Sequence, residues 1–317
     1  MFDFNLQKQI HDQLLIQVRF EVKSGTITTL IGKSGAGKSS ILNLISGIIS
    51  LDQGWVRSSH EDFTKIPVHL RNFGYIQQQS YLFKHLTLME NLTYSGYQEG
   101  LESYLDIFEL GPHLQKRVDQ LSGGEAQRVS IVRTLMSQPQ LLLIDEGLSA
   151  LDSKLRSKLK NYLKQLDLPI VFITHDLDEA YELSDHILVI EDGKIVEQGS
   201  CKAIFHHCQK IQTANLIGIE NIYHSASVKK AAFFEYLSKS QWIGIKGNQI
   251  SLEKEGVPAT VQSMTGRLDE VVLELNVRGL DEPLIAVLSW REYEPWQGKP
   301  TVYIKINHII YLEDSQS

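Results

Sequence analysis

The sequence predicts an α/β protein with a parallel sheet, followed by a small all-β barrel. Strand-like and helix-like segments alternate from the start to about residue 213. The runs "LLLI" (residues 141–144) and "IVFI" (170–173) are typical of strands that are buried on both faces in a parallel sheet. Beyond residue 256, short runs of alternating apolar and polar residues are separated by Gly and by Asp-Glu, which predicts antiparallel strands.

These changes of pattern divide the chain into three predicted segments. We expect an α/β domain over residues 1–213, a connector over 214–256 without clear strand–helix alternation, and a barrel of about 60 residues over 257–317. Within the first segment, Asp192-Gly193 lies between two apolar runs and predicts a β-hairpin. In the last, "VVLELNV" places Leu273, Leu275 and Val277 on one face of a strand.

Composition narrows the class of protein. The chain has 317 residues, of which 42% are hydrophobic and 22% charged, as in a globular protein. It carries 31 basic and 38 acidic residues, a net charge of −7, which argues against nucleic acid as a partner. No apolar run approaches a membrane span, and the N-terminus lacks the pattern of a secretory signal. We therefore expect any membrane association to run through a partner.

The two cysteines, Cys201 and Cys208, fit a reducing cytoplasm. They flank two histidines in "CKAIFHHC", which raises the alternative of a zinc site. The spacing matches no common zinc pattern, so a short amphipathic helix packed through Ile204 and Phe205 is the favoured interpretation.

A glycine-rich loop, "GKSGAGKSS", follows the strand-like run "TITTLI" and precedes a helical pattern. Its spacing is Gly, four residues, Gly-Lys-Ser, which lets successive backbone N–H groups point at phosphate oxygens. The positive charge of Lys38 would contact the β- and γ-phosphates, and the Ser39 hydroxyl would hold Mg²⁺. The predicted nucleotide-binding residues of this loop are Gly32, Lys33, Ser34, Gly35, Ala36, Gly37, Lys38, Ser39 and Ser40.

Acidic and imidazole side chains follow two of the buried strands. Asp145 and Glu146 come directly after "LLLI", where Asp145 suits Mg²⁺ and Glu146 suits the polarisation of an attacking water. Neighbouring residues of a strand point to opposite faces, so the pair can serve one site only if the strand ends there and turns. The alternative is that both acids cap the next helix. His175 follows "IVFI" at the same edge of the sheet and suits a γ-phosphate contact.

A second glycine-rich stretch, "LSGGEAQR" at residues 121–128, resembles the signature of the ATP-binding cassette (ABC) family. The other family motifs occur in order: phosphate loop, glutamine loop, signature, acidic strand, "SALD" loop and histidine. The resemblance covers about residues 1–213. It implies an ATPase with a mixed-sheet core and a helical subdomain. It also implies a head-to-tail dimer, either a homodimer or one with a closely related partner, in which Ser122, Gly123 and Gly124 of one copy close on the ATP of the other.

The resemblance also assigns roles. Gln78, in "YIQQQS", would contact Mg²⁺ and the attacking water. The implied catalytic residues are Glu146, His175 and Gln78, and the implied Mg²⁺ ligands are Ser39, Gln78 and Asp145. The sequence departs from the family pattern at Lys33, Glu125, Ala126 and Gly147, and no aromatic residue lies at the usual distance to stack on adenine, which leaves His11, Phe4 and Phe2 as the nearest candidates.

The predicted barrel resembles the oligonucleotide-binding-like (TOBE/Mop-like) module of importer ATPases. The loop "SGAGKSS" and the stretch at residues 284–312 resemble the molybdate-importer ATPase, with sulfate, ferric-iron and polyamine importers as alternatives. The resemblance implies membrane permease subunits and an external solute-binding protein as partners, and a peripheral position on the cytoplasmic face of the plasma membrane. The alternative function, from a different class of protein, is a soluble cassette ATPase that acts on nucleic acid or ribosomes. The barrel would either bind the transported oxyanion or serve dimerisation alone.

Overall fold

A computed structural model describes residues 1–10, 14–77, 79–96, 100–146, 148, 153–228 and 242–313. The chain forms two compact units, Met1–Cys201 and Lys202–Ser317. This division lies 12 residues before the predicted end of the α/β domain at residue 213.

The first unit is built on a nine-stranded sheet with the strand order β4-β1-β2-β9-β8-β3-β7-β6-β5. Its strands are β1 (Phe2–Ile10), β2 (Leu14–Val22), β3 (Ile27–Ile31), β4 (Gln53–Ser58), β5 (Phe73–Ile76), β6 (Leu141–Asp145), β7 (Ile170–Ile173), β8 (His186–Glu191) and β9 (Lys194–Ser200). Strands β8, β3, β7, β6 and β5 run parallel, whereas β1, β2 and β4 pair antiparallel. The mixed sheet that the family resemblance implies is confirmed.

Helices cover both faces of this sheet. They are α1 (Lys38–Ser46), α2 (Leu88–Leu92), α3 (Leu101–Ile107), α4 (Gly123–Met136), α5 (Ser153–Gln165) and α6 (Leu177–Leu183). Strand β6 is apolar up to its last residue, Asp145. Leu141 and Leu143 pack into one core cluster, and Leu142 and Ile144 pack into the other. Because successive side chains alternate between faces, a strand between two helical layers needs apolar residues at every position.

The predicted hairpin at Asp192-Gly193 is confirmed, since β8 and β9 pair antiparallel. Both turn residues have positive φ, 46° and 75°, as a two-residue type I′ turn requires. Gly193 also lies against the Leu15 carbonyl, where a Cβ atom would clash. Its own carbonyl accepts from the Gln17 N–H at 2.8 Å, which joins β2 to the hairpin.

The second unit contains two antiparallel sheets, with orders β10-β11-β17 and β12-β16-β13-β14-β15. The strands are β10 (Asn221–His224), β11 (Trp242–Ile245), β12 (Ile250–Glu253), β13 (Val257–Gly266), β14 (Glu270–Val277), β15 (Leu284–Ser289), β16 (Thr301–Ile306) and β17 (Ile310–Leu312). The helices are α7 (Cys201–His207), α8 (Ile211–Leu216), α9 (Ser225–Val228) and α10 (Trp290–Tyr293). Strands β10 to β12 lie within the predicted connector, so the described part of that segment belongs to the second unit.

A buried asparagine joins the two sheets. Asn221 on β10 donates from Nδ2 to the carbonyls of Ile245 and Ile285, both at 2.9 Å. Its Oδ1 accepts from the Ile285 N–H at 2.6 Å. Three hydrogen bonds from one buried amide therefore connect β10 and β11 of the small sheet to β15 of the larger one.

The stretch "CKAIFHHC" forms the helix α7, as predicted, with Ile204 and Phe205 buried. Across the described ranges, which include all four Cys and His residues of this stretch, no three His, Cys, Asp or Glu side chains have an arrangement that holds a metal ion.

Candidate functional site

The glycine-rich loop connects the end of β3 to the start of α1. Gly35 and Gly37 have φ values of 81° and 100°, a region that side chains with a Cβ atom rarely occupy. At Gly32 an added Cβ would overlap the Ile190 carbonyl on β8. The sequence folds this way because glycine alone permits both the curled backbone and its close approach to the sheet.

An open cavity of about 460 Å³ lies over this loop. Its lining consists of Gly32, Ser34, Gly35, Gly37, Lys38, Ser39, Ser40, Glu146 and His175. Seven of the nine residues predicted for the loop are therefore at the cavity. Of the other two, Lys33 contributes its carbonyl to a bond with Lys38, and Ala36 is buried with its carbonyl bonded to the Gly193 N–H.

The loop lysine is held in place before any phosphate arrives. Lys38 Nζ donates to the carbonyls of Gly32 and Lys33 at 2.8 and 2.9 Å. Burial lowers the pKa of Lys38, and the carboxylates of Glu146 and Asp145 act in the opposite direction. Among the described residues, the bonded partners of this ammonium group are two neutral carbonyl oxygens, which phosphate oxygens can replace.

The two acids lie close to the phosphate loop because the strand ends between them. Strand β6 stops at Asp145, and Glu146 adopts φ 54°, a left-handed conformation that costs a non-glycine residue about 1–3 kcal/mol. Asp145 Oδ1 accepts from the Ser39 hydroxyl at 3.2 Å, while Glu146 lines the cavity. This turn satisfies the condition that the sequence imposed on the pair.

Asp145 and Ser39 offer the donor set that Mg²⁺ prefers. A hydroxyl and a carboxylate oxygen lie within bonding distance of each other beside the phosphate loop. Burial raises the pKa of Asp145, and the hydrogen bond from Ser39 opposes that shift. A divalent cation between these oxygens would stabilise the ionised form of Asp145.

His175 follows β7, and its Nδ1 lies 3.4 Å from Glu146 Oε1, with 68% of the imidazole exposed. A buried network behind it was not predicted from the sequence. The Thr174 hydroxyl donates to Glu179 Oε2 at 2.7 Å, and Arg156 Nε on α5 lies 3.2 Å from Glu179 Oε1. Asp176 caps α6 by accepting from two N–H groups of its first turn. Within this network, the cap at Asp176 is the part that a local sequence pattern can indicate. The ion pair is not, because Arg156 lies 23 positions before Glu179 in the sequence.

The "LSGG" stretch forms the N-terminus of α4. Ser122 is the N-cap, and its hydroxyl accepts from the Glu125 N–H while Glu125 accepts from the Ser122 N–H, a capping box. Glu125 also lies 3.1 Å from His113 Nε2 and 3.5 Å from Lys116 Nζ. The hydrogen bonds from Ser122, with these two neighbours, lower the pKa of Glu125 to about 2.

The helix start is open to solvent, with Ser122 and Gly123 exposed. Among the described residues, the lining of the phosphate-loop cavity includes neither of them nor Gly124. Within one chain, the two glycine-rich stretches therefore do not line one cavity.

Two further predictions concern residues near the site. Gln78 and His11 lie outside the described residues. The neighbouring Gln77 carbonyl accepts from Gln127 Nε2 of α4 at 3.3 Å. Phe2 and Phe4, named above as candidates for adenine stacking, are buried with 4% and 0% exposure in the core behind the sheet. Neither ring is available to a nucleotide.

The fold and site define a phosphate-loop ATPase, and comparison with known proteins identifies the family. The ABC transporter family matches residues 15–149. The chain is 33% identical to the sulfate/thiosulfate import ATP-binding protein CysA of Synechocystis sp. over 92% of this chain and 88% of that protein. It is 34% identical to the spermidine/putrescine import ATP-binding protein PotA of Escherichia coli K12, over 69% of this chain and 61% of that protein.

Solved structures agree. An ATP-binding subunit of an ABC transporter superposes with a TM-score of 0.59 at 26% identity, covering 64% of this chain and 91% of that one. A dimeric ATP-binding cassette in a post-hydrolysis state with ADP and Pi gives 0.54 at 26% identity, covering 63% and 99%. The chain belongs to the ABC transporter family, as an ATPase subunit of the importer type. No helix of the described residues is long and apolar enough to cross a bilayer.

Proposed function

We propose that this ATPase energises the import of an oxyanion, with molybdate as the first candidate and sulfate as the second. The oxyanion as the class of solute is supported by the share of this chain that each relative matches. The sulfate/thiosulfate relative aligns over 92% of the chain, whereas the polyamine relatives align over 69%. Molybdate rests on the resemblance of "SGAGKSS" and of the stretch at residues 284–312 to the molybdate-importer ATPase. Sulfate rests on the named relative.

Two copies would form the working ATPase, arranged head to tail. The exposed start of α4 supports this arrangement, since the N–H groups of Gly123 and Gly124 and the helix dipole suit the γ-phosphate held by the loop of a second copy. In the proposed dimer, Ser122, Gly123 and Gly124 of one copy complete the anion site of the other.

The proposed chemistry is attack of water on the γ-phosphate. Lys38 and the loop N–H groups bind the phosphates, and Ser39, Asp145 and Gln78 would hold Mg²⁺. That cation, when bound, neutralises charge on the β- and γ-phosphates. Glu146 positions and polarises the attacking water, and His175 donates a hydrogen bond to the oxygen on which charge develops.

The remaining partners follow from the importer type. Closing and opening of the ATPase dimer would move two membrane permease subunits between outward- and inward-facing states, with an external solute-binding protein selecting the solute. The protein would lie peripherally on the cytoplasmic face of the membrane. The TOBE/Mop-like assignment of the C-terminal strands, and the binding of the oxyanion there, belong to the same proposal.

Cellular accumulation of molybdenum at trace supply tests the solute. We expect cells that carry only Glu146→Gln to lose accumulation relative to the parent chain, and excess molybdate to restore it. Sulfate uptake in the same strains is the matched measurement. Loss of sulfate uptake with unchanged molybdenum would assign the second candidate. Unchanged uptake of both, with hydrolysis abolished in the purified variant, would refute the oxyanion class.

A further inference from the structure

The Tyr75 hydroxyl lies beside one of the proposed Mg²⁺ ligands and has no part in the proposed chemistry. Tyr75 is on β5 and lies opposite Leu143 of the parallel strand β6, in which Asp145 follows two positions later. Because side chains alternate along a strand, Leu143 and Asp145 share one face of the sheet. Tyr75 packs into the same core cluster as Leu143 and the apolar side of α1. The phenol and the Asp145 carboxylate are therefore neighbours on the face that α1 covers.

This hydroxyl is bonded to three polar side chains. It donates to Asn43 Oδ1 of α1 at 3.1 Å, and it also forms a hydrogen bond with the carboxylate of Asp145. The side chain of Gln77 forms a further hydrogen bond with the phenol group. A phenol carries a single proton, so Asn43 and Asp145 are alternative acceptors for it.

The two sides of the Asp145 carboxylate are thus held by different elements. The Ser39 hydroxyl of α1 donates to Asp145 Oδ1 at 3.2 Å, and the Tyr75 hydroxyl approaches from the neighbouring strand. Ser39 and Asn43 are four positions apart and share one face of α1. Two side chains of the helix and two of the sheet therefore form one connected set. Because Tyr75 and Asp145 are both half-buried, water competes weakly for the bond between them.

We infer that Tyr75 is a positioning residue for the divalent cation, because its hydroxyl holds the Asp145 carboxylate toward Ser39. A hydrogen bond to an ionised carboxylate is stronger than one to a neutral amide, so charged Asp145 is the better acceptor. Asn43 keeps the hydroxyl bonded when the carboxylate turns toward a cation. The inference rests on the proposed function, in which Ser39 and Asp145 bind Mg²⁺. Loss of such a supporting hydrogen bond typically weakens metal binding by about 10–100-fold.

Calorimetric titration of the full-length protein with ADP, once in EDTA and once in excess Mg²⁺, tests this role. The ratio of the two affinities measures what the cation adds, and it does not depend on ATP hydrolysis. The Tyr75→Phe variant keeps the packed ring and removes the hydroxyl. We expect it to bind ADP like the parent in EDTA and about tenfold more weakly in Mg²⁺. Electron paramagnetic resonance with Mn²⁺ and ADP should show a matching decrease in bound Mn²⁺.

Two further variants calibrate the measurement. The matched control Tyr104→Phe removes a hydroxyl that is bonded to the Tyr162 hydroxyl at 2.7 Å elsewhere in the first unit. It should behave as the parent in both conditions. Asp145→Asn removes the charge of the proposed ligand itself and should lose most of the gain in affinity that Mg²⁺ gives.

The variants separate the failure of this inference from the failure of the cation site. If Asp145→Asn loses the gain from Mg²⁺ and Tyr75→Phe keeps it, Tyr75 has no positioning role, although Asp145 still binds the cation. If Asp145→Asn also keeps the gain, the proposed cation site is wrong, and the role of Tyr75 is refuted with it. Equal weakening of Tyr75→Phe in EDTA and in Mg²⁺ would show a purely structural role and would also overturn the inference.

Discussion

Glu146 Oε1 lies 3.4 Å from His175 Nδ1, although the two residues follow different strands of the sheet, β6 and β7. The contact depends on the left-handed conformation of Glu146, which turns its carboxylate toward the phosphate loop instead of continuing the strand. Backbone strain at such a position persists only when the surrounding structure enforces it. Here the Glu146 N–H donates to the Ile173 carbonyl at 3.0 Å, and this bond to the neighbouring strand supports the conformation.

The Glu146→Gln substitution tests the catalytic assignment. The amide keeps the shape of the side chain but cannot polarise water, so we expect hydrolysis to fall by about 10²–10⁴-fold while ATP binding is retained. ATPase assays and nucleotide titration measure the two properties separately, and size-exclusion chromatography with ATP should detect a trapped dimer. Hydrolysis at the parental rate would remove Glu146 from its proposed role.

Glu179→Gln tests whether the buried network behind His175 positions the imidazole. The change weakens the acceptor of the Thr174 hydroxyl and removes the negative charge that lies 3.2 Å from Arg156 Nε. Because small displacements of a catalytic group are costly, we expect kcat to fall about tenfold with the ATP affinity unchanged. Glu182→Gln, at an exposed position of the same helix, is the control. An equal loss in both variants would contradict the positioning role.

Glu125→Gln tests the electrostatic anchoring of the α4 N-terminus. The pKa of Glu125 is lowered from its ordinary 4.5 to about 2, so its contribution to stability is complete above pH 4.5 and is lost as the pH falls toward 2. The variant should be less stable than the parent by about 1 kcal/mol at pH 7, with a smaller difference at pH 3. Urea unfolding across this range measures both. A difference that does not change with pH would contradict the charge-based account.

Asn221→Ala tests the connection between the two sheets of the second unit. The substitution leaves the Ile285 N–H and the carbonyls of Ile245 and Ile285 without their bonds in a buried place. We expect the second unit to lose about 3 kcal/mol of its free energy of unfolding. Asn248→Ala, at an exposed position, serves as the control in urea unfolding. A loss below about 0.5 kcal/mol would show that water replaces these bonds.

The sequence predicts the parallel part of the sheet well because β7 is apolar at every position and β6 at every position before Asp145, a local property of strands buried on both faces. The phosphate loop is equally local. The sequence does not predict the strands of the connector, because β10 and β11 have only four residues each. In addition, β11 pairs with β17, which lies more than 60 positions later. Such pairing leaves no local period to detect.

The same limit applies to the site. Lys38, Ser39 and Asp145 could be predicted because each follows a recognisable strand or loop. The ion pair of Arg156 with Glu179 could not, because neither residue carries a local signal of the other. The contact between the rings of His207 and His308 is the extreme case, since the two residues meet only through the fold of the second unit.

Strand β11, near the start of the second unit, pairs with β17, the last strand of the chain to be described. This pairing has a consequence for synthesis on the ribosome. All nine strands of the first sheet lie within residues 2–200, so that sheet can form while later residues are still being translated. The small sheet needs β17, which ends at Leu312, before β11 gains its second neighbour. The ATPase unit is therefore complete well before the C-terminal unit. A nascent chain stalled near residue 300 would carry a finished phosphate loop beside an open strand edge, which is a natural target for chaperones.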